Sequence, residues 1–479
     1  MKVIPLCGCS KDALQERLQV LATAGSLSRA KGTVSDVFES RGTFEKDLEF
    51  VKKVMGYGHT SICEHDYVVF GLQDITPIAE QTLLGYRLSS FTVKSRREVD
   101  FRNVGYYVPE FKDDNGNILE NNERLQEIYN NYMQSLFNKY GELVDEGLPF
   151  EDCRYILPYS YHSNMIMGCD ANELYKVVCD LRFGKESHIT ELKELGDKLY
   201  ELVKEYVPYL TDIVDNQEHN EKYEDHLAFL DGYLNIAGIK YDYLLDGVKL
   251  VNYTPNADKE VLIQTLKNRY QISYEDAEKL LVTLEFRDDK FAEKMINALL
   301  HSGHQRELEH ASFTFEMPIS LAVMTHISRH RMQSLMIPDF VPMWNLERYV
   351  TPDSLVVNHE EQYNEVYAEN KIMFDYFKEQ GVRDEDLVYF YLSGNACNIS
   401  TTTNARNLEW MSRMRCCNKA QWEIRNIMNE CARQAAEVAP LLGKTFGPSC
   451  QVMKHCPEGK DSCKNKGVTV KKLVNKDSK

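Results

Sequence analysis

The strongest constraint on this chain is that it repeats itself. "GHTSICEH" at 58–65 and "GHQRELEH" at 303–310 share the pattern G-H-x4-E-H, the second lying 245 positions after the first. Each leads into an extended segment, "DYVVFGLQ" or "ASFTFEMP", then a mostly apolar stretch containing proline, then an arginine, Arg87 or Arg331. Further on, "RYILPYSYHSNMIMGCDANELYKVVCDLR" and "VYFYLSGNACNISTTTNARNLEWMSRMR" share one outline of apolar segment, small polar stretch and helical pattern ending in arginine. Self-similarity on this scale reads as two copies of one domain, and 479 residues suit two domains of about 200 residues each. The boundaries read as a first copy over 1–215, an acidic linker over 216–247 that begins "NQEHNEKYEDHLAF", a second copy over 248–450 and a Cys- and Lys-rich tail over 451–479.

Each copy mixes sheet with long helices. Ala311, Phe313, Phe315 and Met317 alternate with Ser312, Thr314 and Glu316, the period of a half-buried strand, so Gly303-His304 falls in a turn at its mouth. The stretch 404–442 reads as one helix, with Asn404, Leu408, Met411, Arg415 and Trp422 along a stripe and "STTT" before it as the cap. No regular βαβ alternation appears, which makes the fold α+β: two tandem copies, each a small, mostly antiparallel sheet with long helices.

No apolar run reaches the roughly 18 residues of a membrane span, and "MKVIPLCGCSKDALQERL" lacks the pattern of a secretory leader. A cytoplasmic location is expected, with the thirteen scattered cysteines as thiols. A formal net charge of −17 argues against a nucleic-acid partner. A small anion held in a local basic pocket remains open.

The best such pocket is "SRHRM" at 328–332, where Arg329 and Arg331 flank His330. Guanidinium groups grip phosphate or carboxylate bidentately without losing charge; the same triplet also suits a solvated helix end. Asn404, Arg406 and Arg415 stand on a separate element, with Arg415 about 16 Å along a helix from Asn404; a solvated helix face is the alternative for Arg406, Arg413 and Arg415. His59 and His304 follow glycines and precede strands, where a loop histidine meets either a ligand or a structural partner. His304 and His310 are poorly spaced for a metal. Cys450, His455, Cys456 and Cys463 in the tail have a metal-like composition but no CxxC pair, and no metal site is assigned. The adjacent Cys416 and Cys417 read as packing residues. A serine elbow, a Walker loop and a Rossmann glycine fingerprint are absent.

"GHQRELEH", "SRHRMQS", "NLERYVTP", "TTTNARNLEWMSRMR" and "AQWEIR", in this order, resemble the flavin-dependent thymidylate synthases, over 248–442 closely and over 1–215 in a worn form. The resemblance implies that His304, Arg329, His330, Arg331, Ser334, Asn404 and Arg406 touch FAD, and that Arg415 binds and activates the uracil of dUMP. In the first copy Gly85 and Tyr86 replace the first arginine and histidine of the triplet. Arg87, Ser95 and Arg97 keep the spacing R-x7-S-x-R, so Ser95, Arg97 and Arg154 are implied to hold the nucleotide, with Arg182 as counterpart of Arg415 and Arg348 as a further substrate contact. The copies would then divide the labour, the second holding flavin and the first gripping dUMP. The second copy departs from the family pattern at Asp339, where a serine is expected, and at Trp410 and His326.

The reaction implied is reductive methylation of dUMP to dTMP, with FAD as cofactor and NADPH and methylenetetrahydrofolate as co-substrates. A homodimer would give four domain copies in a pseudo-tetramer. Two alternatives stay open: a silent relative that binds flavin or nucleotide, and a flavin enzyme acting on another pyrimidine.

Overall fold

The structure is a computed structural model and describes residues 1–224, 226–233, 244–341 and 345–463. Residues 225 and 234–243 of the expected linker and 464–479 of the tail lie outside them.

The two copies run through the same elements in the same order. The first gives β1 (Lys2–Cys7), β2 (Tyr67–Ile75), α1 (Pro77–Leu84), β3 (Ser90–Val93), α2 (Asn122–Asp145), β4 (Ser163–Asp170), α3 (Ala171–Phe183) and α4 (Thr190–Tyr206). The second gives β5 (Lys249–Tyr253), β6 (Ser312–Ser320), α5 (Leu321–Ser328), β7 (Ser334–Met336), α6 (Glu360–Glu379), β8 (Ala396–Asn404), α7 (Ala405–Arg415) and α8 (Trp422–Val438). Each copy builds a four-stranded sheet with every pair antiparallel, in the orders β1-β2-β4-β3 and β5-β6-β8-β7. The α+β fold is therefore present twice. Phe313, Phe315 and Met317 of β6 are buried while Ser312, Thr314 and Glu316 are partly exposed, as their alternation predicts.

A buried polar clamp recurs in both copies. Thr76 ahead of α1 donates through its backbone N and Oγ1 to the two carboxylate oxygens of Glu191 on α4, at 2.8 and 2.6 Å. Ser320 ahead of α5 does the same with Glu423 on α8, at 2.7 and 2.6 Å. A carboxylate that accepts from both a backbone and a side-chain donor is satisfied where water cannot reach, and this fixes the start of the short helix that carries the Arg-His-Arg turn. Burial pushes the Glu191 carboxyl up to about 7, against hydrogen bonds from Thr76 and Tyr389.

The chain divides into two compact units. One contains Met1–Asp242 and Phe340–Asn395, the other Tyr243–Asp339 and Ala396–Lys479. The first unit thus holds its own sheet and also α6, which comes from the second copy. The reason lies in the buried faces of α2 and α6. Leu125, Tyr129, Tyr132, Met133, Leu136 and Tyr140 on one helix, and Tyr363, Val366, Tyr367, Asn370, Phe374 and Phe377 on the other, recur along one face of each helix. Tyr129 packs on Phe390 at 5.3 Å between centroids, Phe111 on Phe377 at 4.9 Å, and Tyr132 Oη donates to Asn370 Oδ1 at 2.9 Å.

Beside these helices the equivalent segments of the two copies cross. Pro158 bridges antiparallel to Leu392, Tyr159 N donates to Tyr391 O at 2.6 Å, and Ser393 N donates to Leu157 O at 2.9 Å. Pro158 and Leu392 stand at the same distance before the last strand residues Asp170 and Asn404, so each meets its own counterpart, the signature of local two-fold symmetry. Gly394 has to be glycine for this crossing: a Cβ there would lie 2.1 Å from Tyr367 Oη and 2.8 Å from Tyr363 Oη. Among the described residues no helix is long and apolar enough to cross a membrane.

Candidate functional site

In the second unit, α5 ends at Ser328 with Arg329 as its C-cap. The chain then turns through His330 and Arg331 into β7, so the triplet lies in the turn after the short helix anchored by Ser320 and Glu423. Arg329 and Arg331 are exposed, whereas His330 is buried. The sequence expected the triplet to meet Arg415, and it does: Arg415 Nε donates to His330 Nε2 at 3.0 Å. For His330 to accept, its ring must be neutral with the proton on Nδ1. Burial, followed by the charges of Arg415 and Arg329, lowers its pKa from 6.5 to about 3.

That shift sets a pH dependence. Between about 3 and 6.5 the unfolded chain binds a proton that the folded chain refuses, so His330's contribution to stability is complete above pH 6.5 and declines as pH falls toward 3. Urea midpoints taken from pH 7 to 4.5 should fall less steeply for His330→Gln, which keeps a neutral acceptor, than for the parent chain. Equal slopes would show that His330 is protonated in the fold.

Asn404 is the N-cap of α7, its side chain accepting from Asn407 N at 2.9 Å. The expected cap "STTT" instead belongs to β8, because Thr401 and Thr403 face the core from a paired strand. The single helix expected over 404–442 is also corrected. α7 stops at Arg415, a turn follows, and α8 begins at Trp422 with Gln421 as cap, its side chain accepting from Glu423 N and Ile424 N. Arg406 Nη1 pairs with Glu309 Oε1 at 2.5 Å, which assigns the glutamate of G-H-x4-E-H a structural duty. His304 is exposed in the turn before β6. Ser334 opens β7 opposite Thr402. Of the two departures on helices, His326 is buried on α5 and Trp410 is 54 % exposed on α7.

The first unit holds a second cationic group. Arg97 Nε pairs with Glu151 Oε2 at 2.5 Å, and Arg154 Nε donates to Glu151 O at 3.2 Å, so the structure brings Arg97 and Arg154 to one residue. Ser95 Oγ accepts from Arg97 N at 3.3 Å. A cavity of about 290 Å³ opens here, lined by Arg97, Glu98, Leu148, Pro149, Phe150 and Glu151. Arg154 is only 3 % exposed, and its Nη2 has no hydrogen-bond partner. Burial, with Arg96 and Arg97 nearby, lowers its pKa. A guanidinium kept dry and incompletely bonded suits an anion that supplies the missing acceptor. Arg348 belongs to the same unit, where Asn395 Nδ2 donates to Arg348 O at 3.4 Å.

Two features of this unit escaped the sequence. Arg96 is buried, paired with Glu80 and bonded to Tyr161 Oη at 2.6 Å, and Ser163 Oγ donates to Glu80 at 2.7 Å. Gln81 on α1 is 6 % exposed with neither amide atom bonded. Nothing in the residue pattern separates these two from ordinary helix and loop polar residues.

Arg182 is not the geometric counterpart of Arg415. Asp170 caps α3 as Asn404 caps α7, accepting from Glu173 N at 2.8 Å, and counting from these caps Leu181 matches Arg415. One residue turns a helix by about 100°. Arg182 accordingly pairs with Asp197 at 3.0 Å and stacks on Tyr200, with 4.1 Å from its guanidinium to the ring centre. Tyr86, which replaces the triplet histidine, donates to Asp180 Oδ2 at 2.9 Å.

With an Arg-His-Arg turn held against a helix-borne arginine in one unit and a dry arginine in the other, the chain is in class a two-copy α+β protein with a cationic cluster in each unit. The family model described as thymidylate synthase complementing protein (Thy1) matches residues 12–209 and 249–441. The chain belongs to this family, that of the flavin-dependent thymidylate synthases, and carries its domain twice. The flavin-dependent thymidylate synthase of Clostridium tetani is 32% identical over 247 residues, 47% of this chain and 96% of that protein. The one of Sulfurisphaera tokodaii is 30% identical over 237 residues, 48% of this chain and 87% of that protein. Among solved structures, thymidylate synthase X of Helicobacter pylori with FAD and dUMP aligns over 45% of this chain and 99% of its own, at 20% identity and a TM-score of 0.33.

Proposed function

We propose that the protein is an FAD-dependent thymidylate synthase that converts dUMP to dTMP with methylenetetrahydrofolate and NADPH. The observation that carries this reading is the 3.0 Å bond from Arg415 to His330, which joins the cationic triplet to the helix-borne arginine. The donor set fits a flavin dinucleotide: exposed guanidinium groups at Arg329 and Arg331 suit a pyrophosphate, and His304, Ser334, Asn404 and Arg406 offer further polar contacts. The flavin, when bound, supplies the hydride of the reductive step.

The remaining duties fall on the chain itself. Arg415 stabilises the negative charge that develops on the uracil ring as its C5 becomes nucleophilic, acting as a donor fixed before reaction. His330 holds that guanidinium in direction without adding a charge. Arg97 and Arg154, with Ser95, take the phosphate end of the nucleotide, and Arg348 is assigned to substrate as well. A homodimer with four domain copies and a cytoplasmic setting complete the proposal.

The test is formation of dTMP from dUMP by the yellow, FAD-loaded chain with methylenetetrahydrofolate and NADPH. A chain that takes up no FAD overturns the reading. A flavoprotein inert with dUMP that oxidises NADPH in the presence of another pyrimidine overturns the substrate. Substituting Arg97 should weaken dUMP binding and leave flavin content unchanged.

A further inference from the structure

The two copies differ at a buried place where the fold itself makes no demand. Glu80 and Met324 each stand fourth in the short helices that follow the Thr76 and Ser320 clamps, and both are buried. The strands differ to match. Ile75 pairs with Ser163 in the first sheet, and Ile319 pairs with Cys397 at the same point of the second. The second copy thus carries a thioether and a thiol at the places where the first builds a polar cluster. One carboxylate oxygen of Glu80 accepts from Ser163 Oγ at 2.7 Å, and the other pairs with Arg96, whose guanidinium also donates to Tyr161 Oη at 2.6 Å. A buried ion pair is often no more stabilising than apolar side chains of similar volume, and the second copy keeps the same helix and sheet without one. What the pair adds is a fixed place for Arg96.

Arg96 lies in the turn after β3. It is 6 % exposed, while Ser95 before it is exposed and Arg97 after it is half-buried. Through Glu80 on α1, Ser163 on β4 and Tyr161 just ahead of β4, this turn hangs on three parts of the core. Phe101 packs edge-on against the Tyr161 ring at 5.6 Å between centroids, which holds the hydroxyl in place. Side chains that grip a ligand keep their geometry only when a supporting layer of packed, hydrogen-bonded residues locks them. We propose that Arg96 is a positioning residue for nucleotide binding: anchored by Glu80 and Tyr161, it presents Ser95 and Arg97 to the phosphate. The inference rests on the assignment of Ser95, Arg97 and Arg154 to the phosphate of dUMP. It accounts for the absence of the pair from the second copy, to which the flavin is assigned.

The experiment uses the full FAD-loaded chain and compares binding of dUMP with that of deoxyuridine, which lacks the phosphate. Glu80→Met combined with Arg96→Met copies the apolar side chain of the second copy. This double variant is expected to keep its flavin content and urea midpoint and to bind dUMP about tenfold or more weakly, the scale set by a displaced positioning group, with deoxyuridine little changed. Tyr161→Phe removes one bond to Arg96 and keeps the ring, so a smaller loss confined to dUMP is expected there. Parent affinity for dUMP in the folded double variant overturns the proposal. So does equal weakening of dUMP and deoxyuridine, the mark of a generally loosened fold. If the double variant does not fold, unchanged dUMP binding in Tyr161→Phe overturns it. Arg97→Ala separates the two readings: weaker dUMP binding there, with none lost in the double variant, overturns only the role of Arg96. Parent binding in Arg97→Ala overturns the phosphate assignment and this inference with it.

Discussion

Replacing Arg415 with lysine lowers kcat for dTMP formation by about 10²–10³, the cost of removing one preorganised donor from a developing anion, while FAD content stays at the parent level. The charge survives the change, so a large loss isolates geometry. Arg415 reaches His330 through Nε, a bond on the stem side that sets the direction of its planar fork. Lysine has a single ammonium on a flexible chain and no fork. Because His330 is neutral down to about pH 3, it directs the guanidinium without competing for the same negative charge. A lysine variant with kcat within about tenfold of the parent would place ring activation elsewhere. Loss of FAD together with activity would assign Arg415 to the cofactor.

Arg154→Leu should do two opposite things. The parent chain buries a guanidinium whose Nη2 is unbonded, and an unsatisfied buried polar group costs about 1–3 kcal/mol. Removing it should raise the urea midpoint of the ligand-free protein. The same change deprives a bound phosphate of a desolvated cation. Losing one partner of such a pair costs about 2–5 kcal/mol, and at about 1.4 kcal/mol per tenfold dUMP binding weakens by about 30-fold or more. Thermal melts with and without dUMP read both effects in one titration. A leucine variant that is less stable and binds dUMP normally would make Arg154 a structural residue.

Duplication was legible because it appears as repeated letters, and the alternation of β6 was legible because one face of that strand is buried. The meeting of Arg415 with the Arg-His-Arg turn was legible through the family resemblance of their motifs, not through any period of the turn itself. What the residues concealed depends on single positions or on tertiary pairing. Arg182 looked like a copy of Arg415 until the caps at Asp170 and Asn404 set the count, and one residue of slip sends it to Asp197 and Tyr200. The stripe from Asn404 to Trp422 survives in pattern although the helix breaks, because Gln421 starts a new one. Placing α6 with the first copy was beyond any local signal, since its aromatic face states that it must be buried but not against which partner. Arg154 was found by resemblance, yet the unbonded state of its Nη2 is a fact of packing alone.

The crossing of Pro158 with Leu392 makes the folding of the earlier half depend on the later one. Phe340–Asn395 belongs to the same compact unit as the earlier copy, so a polypeptide that stops near residue 245 would leave the aromatic face of α2 uncovered until a second polypeptide supplied the missing stretch.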